Sequence, residues 1–405
     1  MVQLNADRSF HYELARTLGS VRYGAADIVE VLEAGDAITP GDVESFYRVF
    51  NDLASHIHAQ ADTIDARKFP VSARDAYFRA STYYRCADFY LHGNRQDPRI
   101  WDLWSKQTVT FDKAMILLPT PGERLILPAA DGSFNIPAIF YRAPGASAAD
   151  LRPTLLVCNG FDGSQEEMLH ICGIGALERG YNVLTFEGPG QCSVIRDQGV
   201  GFISEWEKVV SPVVDYILTR PEVDPSRVFL WGYSMSGYLV LRAAAFEHRI
   251  AAVLSVDGVA SVFDCFYKGI SPEARAAFDA GDWKETDAVI QSSLHSKDTP
   301  TVSRWLIEHG LFTFNTSSAF ELLTKARQMT IEGIAHQIQC PVWIGWPDDD
   351  LFFSGQPERV KEALGNLGTL QRMSTKDGAH LHCHVGASTF MNATVFGWLE
   401  GILAT

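Results

Sequence analysis

Two periodicities divide the chain. Over the first ~115 residues apolar side chains recur three and four positions apart, as in Val43, Phe46, Tyr47, Val49 and Phe50 followed by Leu53 and Ile57, with no alternating strand pattern. This predicts a separate helical domain. Its later part, Ser72 to Leu91, carries Tyr77, Phe78, Tyr83, Tyr84, Phe89 and Tyr90, an aromatic stripe whose ordinary role is core packing. From Glu123 the pattern shortens to alternating runs, 124–127 and 135–141, around Asp131-Gly132, a dipeptide that favours hairpin turns. Continuous apolar runs at 154–158, 182–186, 228–231, 252–256 and 341–346 then alternate with helical stretches, the pattern of a mostly parallel, doubly wound sheet covered on both faces. Between the fourth and fifth of these runs the chain reads as helix throughout. An insertion there sits over the strand C-termini, where open α/β sheets place their ligands, and is read as a lid. The expected architecture is therefore α/β, with a helical domain over 1–120, a sheet domain in two parts, 121–260 and 337–405, and a helical lid over 261–336.

Composition narrows the partners. The chain has 405 residues, 46% of them hydrophobic and 20% charged, an ordinary globular balance that can fill a sizeable core. A formal net charge of −15, with no compensating Lys/Arg cluster, disfavours nucleic acid and anionic lipid as partners. No run of about 18 apolar residues and no basic-then-apolar N-terminus occurs, so a cytoplasmic location is expected. The seven cysteines are scattered without a Cys-x-x-Cys pair and are read as reduced thiols.

The most informative segment is the apolar strand ending in Gly232-Tyr233-Ser234-Met235-Ser236-Gly237 and running into a helix of good formers. A sharp strand-to-helix turn needs small residues two positions either side of an exposed nucleophile, because the two backbones nearly touch. Gly232 and Ser236 meet that need, which singles out Ser234. Glycine is the usual residue where Ser236 stands, so Ser236 is a minor rival. Such a turn aims the first helical N–H, that of Met235, at an oxyanion. A second donor, the Phe161 N–H, is expected from Asn159-Gly160-Phe161-Asp162-Gly163-Ser164 after an earlier strand, where glycines allow close approach.

After the strand that follows the lid comes Asp348-Asp349-Asp350, and before the terminal helix comes His380-Leu381-His382-Cys383-His384. The chain order Ser…Asp…His is that of a triad in which the acid orients the imidazole and the imidazole takes the serine proton. Order and spacing leave open which aspartate and which histidine serve. Alternating histidines also suit one face of a metal site, but no further ligands occur at suitable spacing and no metal is expected. Gly173-Ile174-Gly175 has Glu178 where a dinucleotide fingerprint needs its third glycine, so no nucleotide cofactor is expected.

These blocks in order resemble the α/β-hydrolases with an N-terminal helical domain, including the 2,6-dihydropseudooxynicotine hydrolase type and the fungal yellowish-green-type enzymes that shorten aromatic polyketides. The resemblance runs from 72–81 through Asn159 to Ser164, Thr185-Phe-Glu-Gly-Pro-Gly-Gln191 and the Ser234 turn to 350–356 and 378–383. It implies Asp350, before x-Phe-Phe-x-Gly-Gln, as the acid and His382, before Cys, as the base. It also implies a homodimer without a cofactor. The expected reaction is retro-Claisen hydrolysis of a carbon–carbon bond beside a ketone, in an aromatic polyketide or related β-dicarbonyl of pigment or secondary metabolism. The alternative is a carboxylesterase, thioesterase or acyltransferase with the same triad. Tyr84, Phe263, Phe266 and Trp305 are expected to line the substrate chamber, chosen by position and type.

Overall fold

In the computed structural model, which describes residues 2–403, the apolar runs become one eight-stranded sheet. The strands are β1 (Glu123–Pro128), β2 (Asn135–Tyr141), β3 (Arg152–Cys158), β4 (Asn182–Phe186), β5 (Val223–Gly232), β6 (Ala252–Ser255), β7 (Val342–Pro347) and β8 (Gly368–Met373). Their spatial order is β1-β2-β4-β3-β5-β6-β7-β8. β1 and β2 pair antiparallel around the turn at Gly132, whose φ of 71° suits glycine, and β2 pairs antiparallel with β4; the remaining neighbours are parallel. All five residues of β4 and all four of β6 are buried, as expected for strands covered on both faces.

The parallel register brings the C-terminal ends of β5, β6 and β7 side by side, with Gly232 opposite Ser255 and Ser255 opposite Ile344. Loops leaving those ends therefore meet over one edge of the sheet, the arrangement that builds sites in open α/β folds.

Two compact units divide the chain. One holds the five helices α1 (Arg8–Gly19), α2 (Ile28–Ala37), α3 (Val43–Thr63), α4 (Pro70–Asp88) and α5 (Arg99–Met115), together with residues 292–312; the other holds the sheet and the rest. Helices do fill the stretch between β6 and β7, at Val262–Gly269, Pro272–Asp279, Trp283–Leu294, Thr301–Thr313 and Ala319–Arg327. The stretch 261–336 is nevertheless not one unit. Residues 292–312 belong with the N-terminal helices because Trp305 stacks on Phe89 at 5.1 Å, His309 lies 4.7 Å from the His92 ring, and Arg95 donates to the carbonyls of Leu311 and Phe312. Apolar periodicity marks helices but not the partner each one docks on.

Candidate active site

β5 stops at Gly232, and the helix Ser236–Ala244 begins four residues later. The turn is closed by bonds from Ser236 N–H to the Tyr233 carbonyl at 3.1 Å and from Gly237 N–H to the Ser234 carbonyl at 2.7 Å. Ser234 itself has φ 58°, a left-handed conformation that costs a non-glycine residue roughly 1–3 kcal/mol. A Cβ at Gly232 would overlap the Ser236 carbonyl, so glycine is required there by the backbone. The outcome is a serine that is partly exposed while Tyr233 and Met235 on either side are buried. Ser236 is fully buried and its hydroxyl donates to the Asn159 carbonyl, which removes it as a rival nucleophile.

The Ser234 Oγ lies 2.9 Å from His382 Nε2. On the other side of the ring, His382 Nδ1 lies 3.1 and 3.0 Å from the two carboxylate oxygens of Asp350. Asp350 in turn accepts the N–H groups of Phe352 at 2.7 Å and Phe353 at 2.9 Å, which fixes its orientation. The neighbouring aspartates have other partners: Asp348 pairs with Arg372 at 2.8 Å, and the Asp349 N–H donates to the His380 carbonyl at 2.8 Å. The three histidines do not converge. His384 bonds the Ala379 carbonyl at 3.2 Å with its ring edge-on to Trp343, and Gly345 in β7 leaves the space for that ring.

A second carboxylate, unforeseen from the sequence, faces the same imidazole. Asp257, fully buried in the loop after β6, places Oδ2 3.0 Å from His382 Nδ1. It accepts the Cys383 N–H on both oxygens at 2.9 Å and faces the Cys383 Sγ at 3.0 Å. Burial opposes a charged His382, but the Asp350 and Asp257 carboxylates outweigh it and hold its pKa well above the usual histidine range. Burial and the Asp257 carboxylate push the Cys383 thiol up, so it stays protonated and donates. Asp257, His382 and Cys383 each bring a ligand-type atom within 4.8 Å of the others, yet these atoms are engaged as donor and acceptor to one another. The cluster is a hydrogen-bonded unit.

No protein-family model matches the chain. Whole-chain relatives do. It is 30% identical over 424 residues to the 20-hydroxy-prefusarin hydrolase FUS2 of Gibberella moniliformis, covering 100% of this chain and 99% of that one. It is 28% identical over 412 residues to the hydrolase LUC6 of Fusarium sp, covering 99% and 98%. The chain belongs to this family of fungal hydrolases. Among solved structures, the 2,6-dihydroxy-pseudo-oxynicotine hydrolase superposes with a TM-score of 0.72 at 20% identity, covering 95% of each chain, which establishes the α/β-hydrolase fold.

In this hydrolase the loop after β3 lies directly on Ser234. A Cβ at Gly160 would stand 2.6 Å from Ser234 Cβ and 2.7 Å from the Tyr233 carbonyl, so only glycine allows the approach. The Gly160 N–H is committed to Asn159 Oδ1 at 2.7 Å. Phe161 and Met235, the expected oxyanion donors, follow Gly160 and Ser234 respectively, with Met235 at the N-cap of the helix Ser236–Ala244. Gln191 braces this loop by donating to the carbonyls of Asn159 and Gly160 while accepting the Gly188 N–H at 2.9 Å. Beneath it Glu187 accepts the N–H groups of Gln165 and Ser193, each at 2.7 Å; burial, with the Glu166 carboxylate nearby, pushes its pKa up to about 7. Gln356 fastens the far side, accepting from Ala260 and Ser261 N–H and donating to the Ser261 carbonyl at 3.0 Å.

The four expected chamber residues fall in different places. Phe266 packs edge-on to Phe161 with ring centroids 5.7 Å apart, against the loop that touches Ser234. Phe263 instead packs on Tyr267 and Phe278 under the Arg327 guanidinium, inside the insertion's own core. Tyr84 is buried in the helical unit with its hydroxyl 3.2 Å from His58 Nδ1, and Trp305 is stacked between Phe89 and His309 there. These three have ring and hydrogen-bond partners within their own units, and residue type alone does not separate a lining ring from a filler. The rings that do touch the imidazole are Phe352 at 4.9 Å and Phe353 at 5.6 Å. Their signal was the paired phenylalanines beside Asp350. Among the described residues no helix is long and apolar enough to cross a membrane.

Proposed function

We propose that this hydrolase uses Ser234 as a nucleophile to cleave a carbon–carbon bond beside a ketone in an aromatic polyketide or related β-dicarbonyl. The observation that carries the reading is the 2.9 Å approach of Ser234 Oγ to His382 Nε2 at a left-handed strand-to-helix turn, with Asp350 on the opposite ring nitrogen. The serine proton passes to Nε2 as Oγ adds to the carbonyl carbon, and the oxyanion takes the N–H groups of Met235 and Phe161. The tetrahedral adduct collapses by breaking the carbon–carbon bond. A neighbouring carbonyl stabilises the leaving carbanion as an enolate, which receives the proton from His382. Water, deprotonated by the same imidazole, then adds to the acyl-Ser234 ester; the ester bond breaks, Oγ regains its proton and a carboxylic acid leaves.

The fungal relatives named as hydrolases, one of them of 20-hydroxy-prefusarin, support a small organic substrate. The rings of Phe352, Phe353, Phe161 and Phe266 around the reacting groups support a flat, unsaturated one. The test is mass spectrometry after incubation with an aryl β-diketone, following the peptide that contains Ser234. An acyl adduct absent from Ser234→Ala is expected; an adduct elsewhere, or turnover by Ser234→Ala, overturns the reading.

A further inference from the structure

We propose that Asp257 is a second positioning carboxylate for His382, sharing its Nδ1–H with Asp350 and anchoring the turn that carries the ring. The inference rests on the serine-hydrolase reading and deepens it. Three observations carry it. Asp257 Oδ2 is as close to Nδ1 as the nearer Asp350 oxygen, 3.0 Å in each case, and the two carboxylates arrive from different strands, after β6 and after β7. Both side chains are buried, at 0% and 2% exposure, so neither charge is screened by water.

The second observation is backbone strain in matching places. Asp257 has φ 70° and Gly258 has φ 53°, while Cys383 and His384 across from them have φ 56° and 55°. A Cβ at Gly258 would press on Ile344 at 2.5 Å and on Pro357 at 2.8 Å, so this loop is wedged between β7 and the helix Gln356–Leu364 that follows the Asp350 loop. The third is that Asp257 holds the turn as well as the ring. It takes the Cys383 N–H at 2.9 Å and faces the Cys383 thiol at 3.0 Å, so one carboxylate fixes the position of residue 383 and the tilt of residue 382 together.

The chemistry follows from the proton count. When Ser234 gives its proton to Nε2, the Nδ1 proton stays between the two carboxylates and both remain anionic. Either carboxylate alone keeps Nδ1 protonated, which leaves Nε2 free to accept. A triad with one acid loses about 10⁴-fold when that acid becomes an amide, because the wrong tautomer is favoured. Here each acid backs up the other. The groups facing His382 are Ser234 from the turn after β5, Asp350 after β7, Asp257 after β6 and Cys383 on its own turn.

The experiment measures the second-order rate of Ser234 labelling by a fluorophosphonate, which reads nucleophile activation without a known substrate. Asp350→Asn is expected to lose less than about 10³-fold, and the double variant with Asp257→Asn about 10⁴-fold or more. Asp257→Asn alone is expected to move the acidic limb of the labelling rate to lower pH, since one charge holding the imidazolium is gone. Loss of 10³-fold or more in Asp350→Asn overturns the proposal, as does an acidic limb unmoved in a folded Asp257→Asn. Should Asp257→Asn not fold, Asp350→Asn decides alone. Labelling retained by Ser234→Ala overturns the serine-hydrolase reading itself, whereas an inert Ser234→Ala with a crippled Asp350→Asn sinks only the role of Asp257.

Discussion

The strand-end loops and the helical unit are built by opposite means. In the helical unit α1, α2 and α3 start on Asp7, Asp27 and Asp42, whose carboxylates accept first-turn N–H groups, and left-handed backbone falls on Gly24 and Gly41. Its interior is packed rings, Phe10, Phe46, Phe50, Tyr83 and Tyr90, around a buried Glu13 paired with Arg16 at 3.2 Å and Arg85 at 3.3 Å. At the strand ends the left-handed region is occupied by Ser234, Asp257, Cys383 and His384 instead, each costing roughly 1–3 kcal/mol. Such conformations persist because a rigid sheet and close contacts at Gly232, Gly160, Gly258 and Gly345 leave no alternative. Strain is concentrated where Ser234, Asp257 and the turn of His382 meet.

The comparison predicts two separable kinds of damage. Ser234→Ala removes the proposed nucleophile and relieves its strained backbone poorly but without harm; hydrolysis should fall about 10⁵–10⁶-fold while the thermal midpoint stays within a degree or two of wild type. Phe50→Ala is the counterpart in the helical unit. Phe50 is fully buried against Phe46 and Tyr83, so the truncation should cost about 3–5 kcal/mol in denaturant unfolding. The folded fraction should label at Ser234 at the wild-type rate; a labelling rate that collapses with stability would erase the distinction between the regions.

Gly160→Ala comes next. The added methyl meets Ser234 Cβ and the Tyr233 carbonyl, and the loop must lift, carrying the Phe161 N–H away from the oxyanion. A loss of about 10²–10³-fold in kcat is expected, the size of one lost oxyanion donor. An undiminished kcat in this variant would remove Phe161 from the mechanism.

How much of this was legible depended on whether a backbone contact or a tertiary neighbour set the residue. Ser234 stood out because the close approach at Gly232 restricts residue type within a few positions. The choice of Asp350 and His382 came from chain order and resemblance, since spacing alone left Asp349 and His380 open; the bond from Asp349 N–H to the His380 carbonyl shows why both alternatives lie so near. Asp257 was invisible. Asp257-Gly258 after a buried strand reads as an ordinary turn, and its meaning appears only when the order β5-β6-β7 sets that turn beside the histidine. The same limit hides the docking partners of Tyr84, Phe263 and Trp305, and the grouping of residues 292–312 with the N-terminal helices. Periodicity reports that a ring is buried, not what it is buried against.

Acid pH offers a smaller test. The His382 pKa is raised, so the imidazolium is favoured on folding and its stabilisation is full below the unfolded value of 6.5 and lost as pH rises through the folded value. In the proposed mechanism activity runs the other way, because only neutral His382 accepts the Ser234 proton. Below the folded value the labelling rate should fall about tenfold per pH unit, and raising the pH should restore it while the thermal midpoint declines. Parallel changes in both would mean that another group controls the acidic limb.

The smallest expected effect is also the cleanest check on the separation. Asp42 is exposed and caps the 21-residue α3 by accepting the N–H groups of Glu44 at 3.0 Å and Ser45 at 3.1 Å. Asp42→Ala leaves those donors to water and should cost about 1 kcal/mol in unfolding. Asp42 and Ser234 belong to different units, so Ser234 labelling should stay within about twofold of wild type, the scatter expected of independent sites. A loss of activity larger than the loss of stability would show that the helical unit sets the geometry of the reacting groups, and that strain at the strand ends is held from outside the sheet.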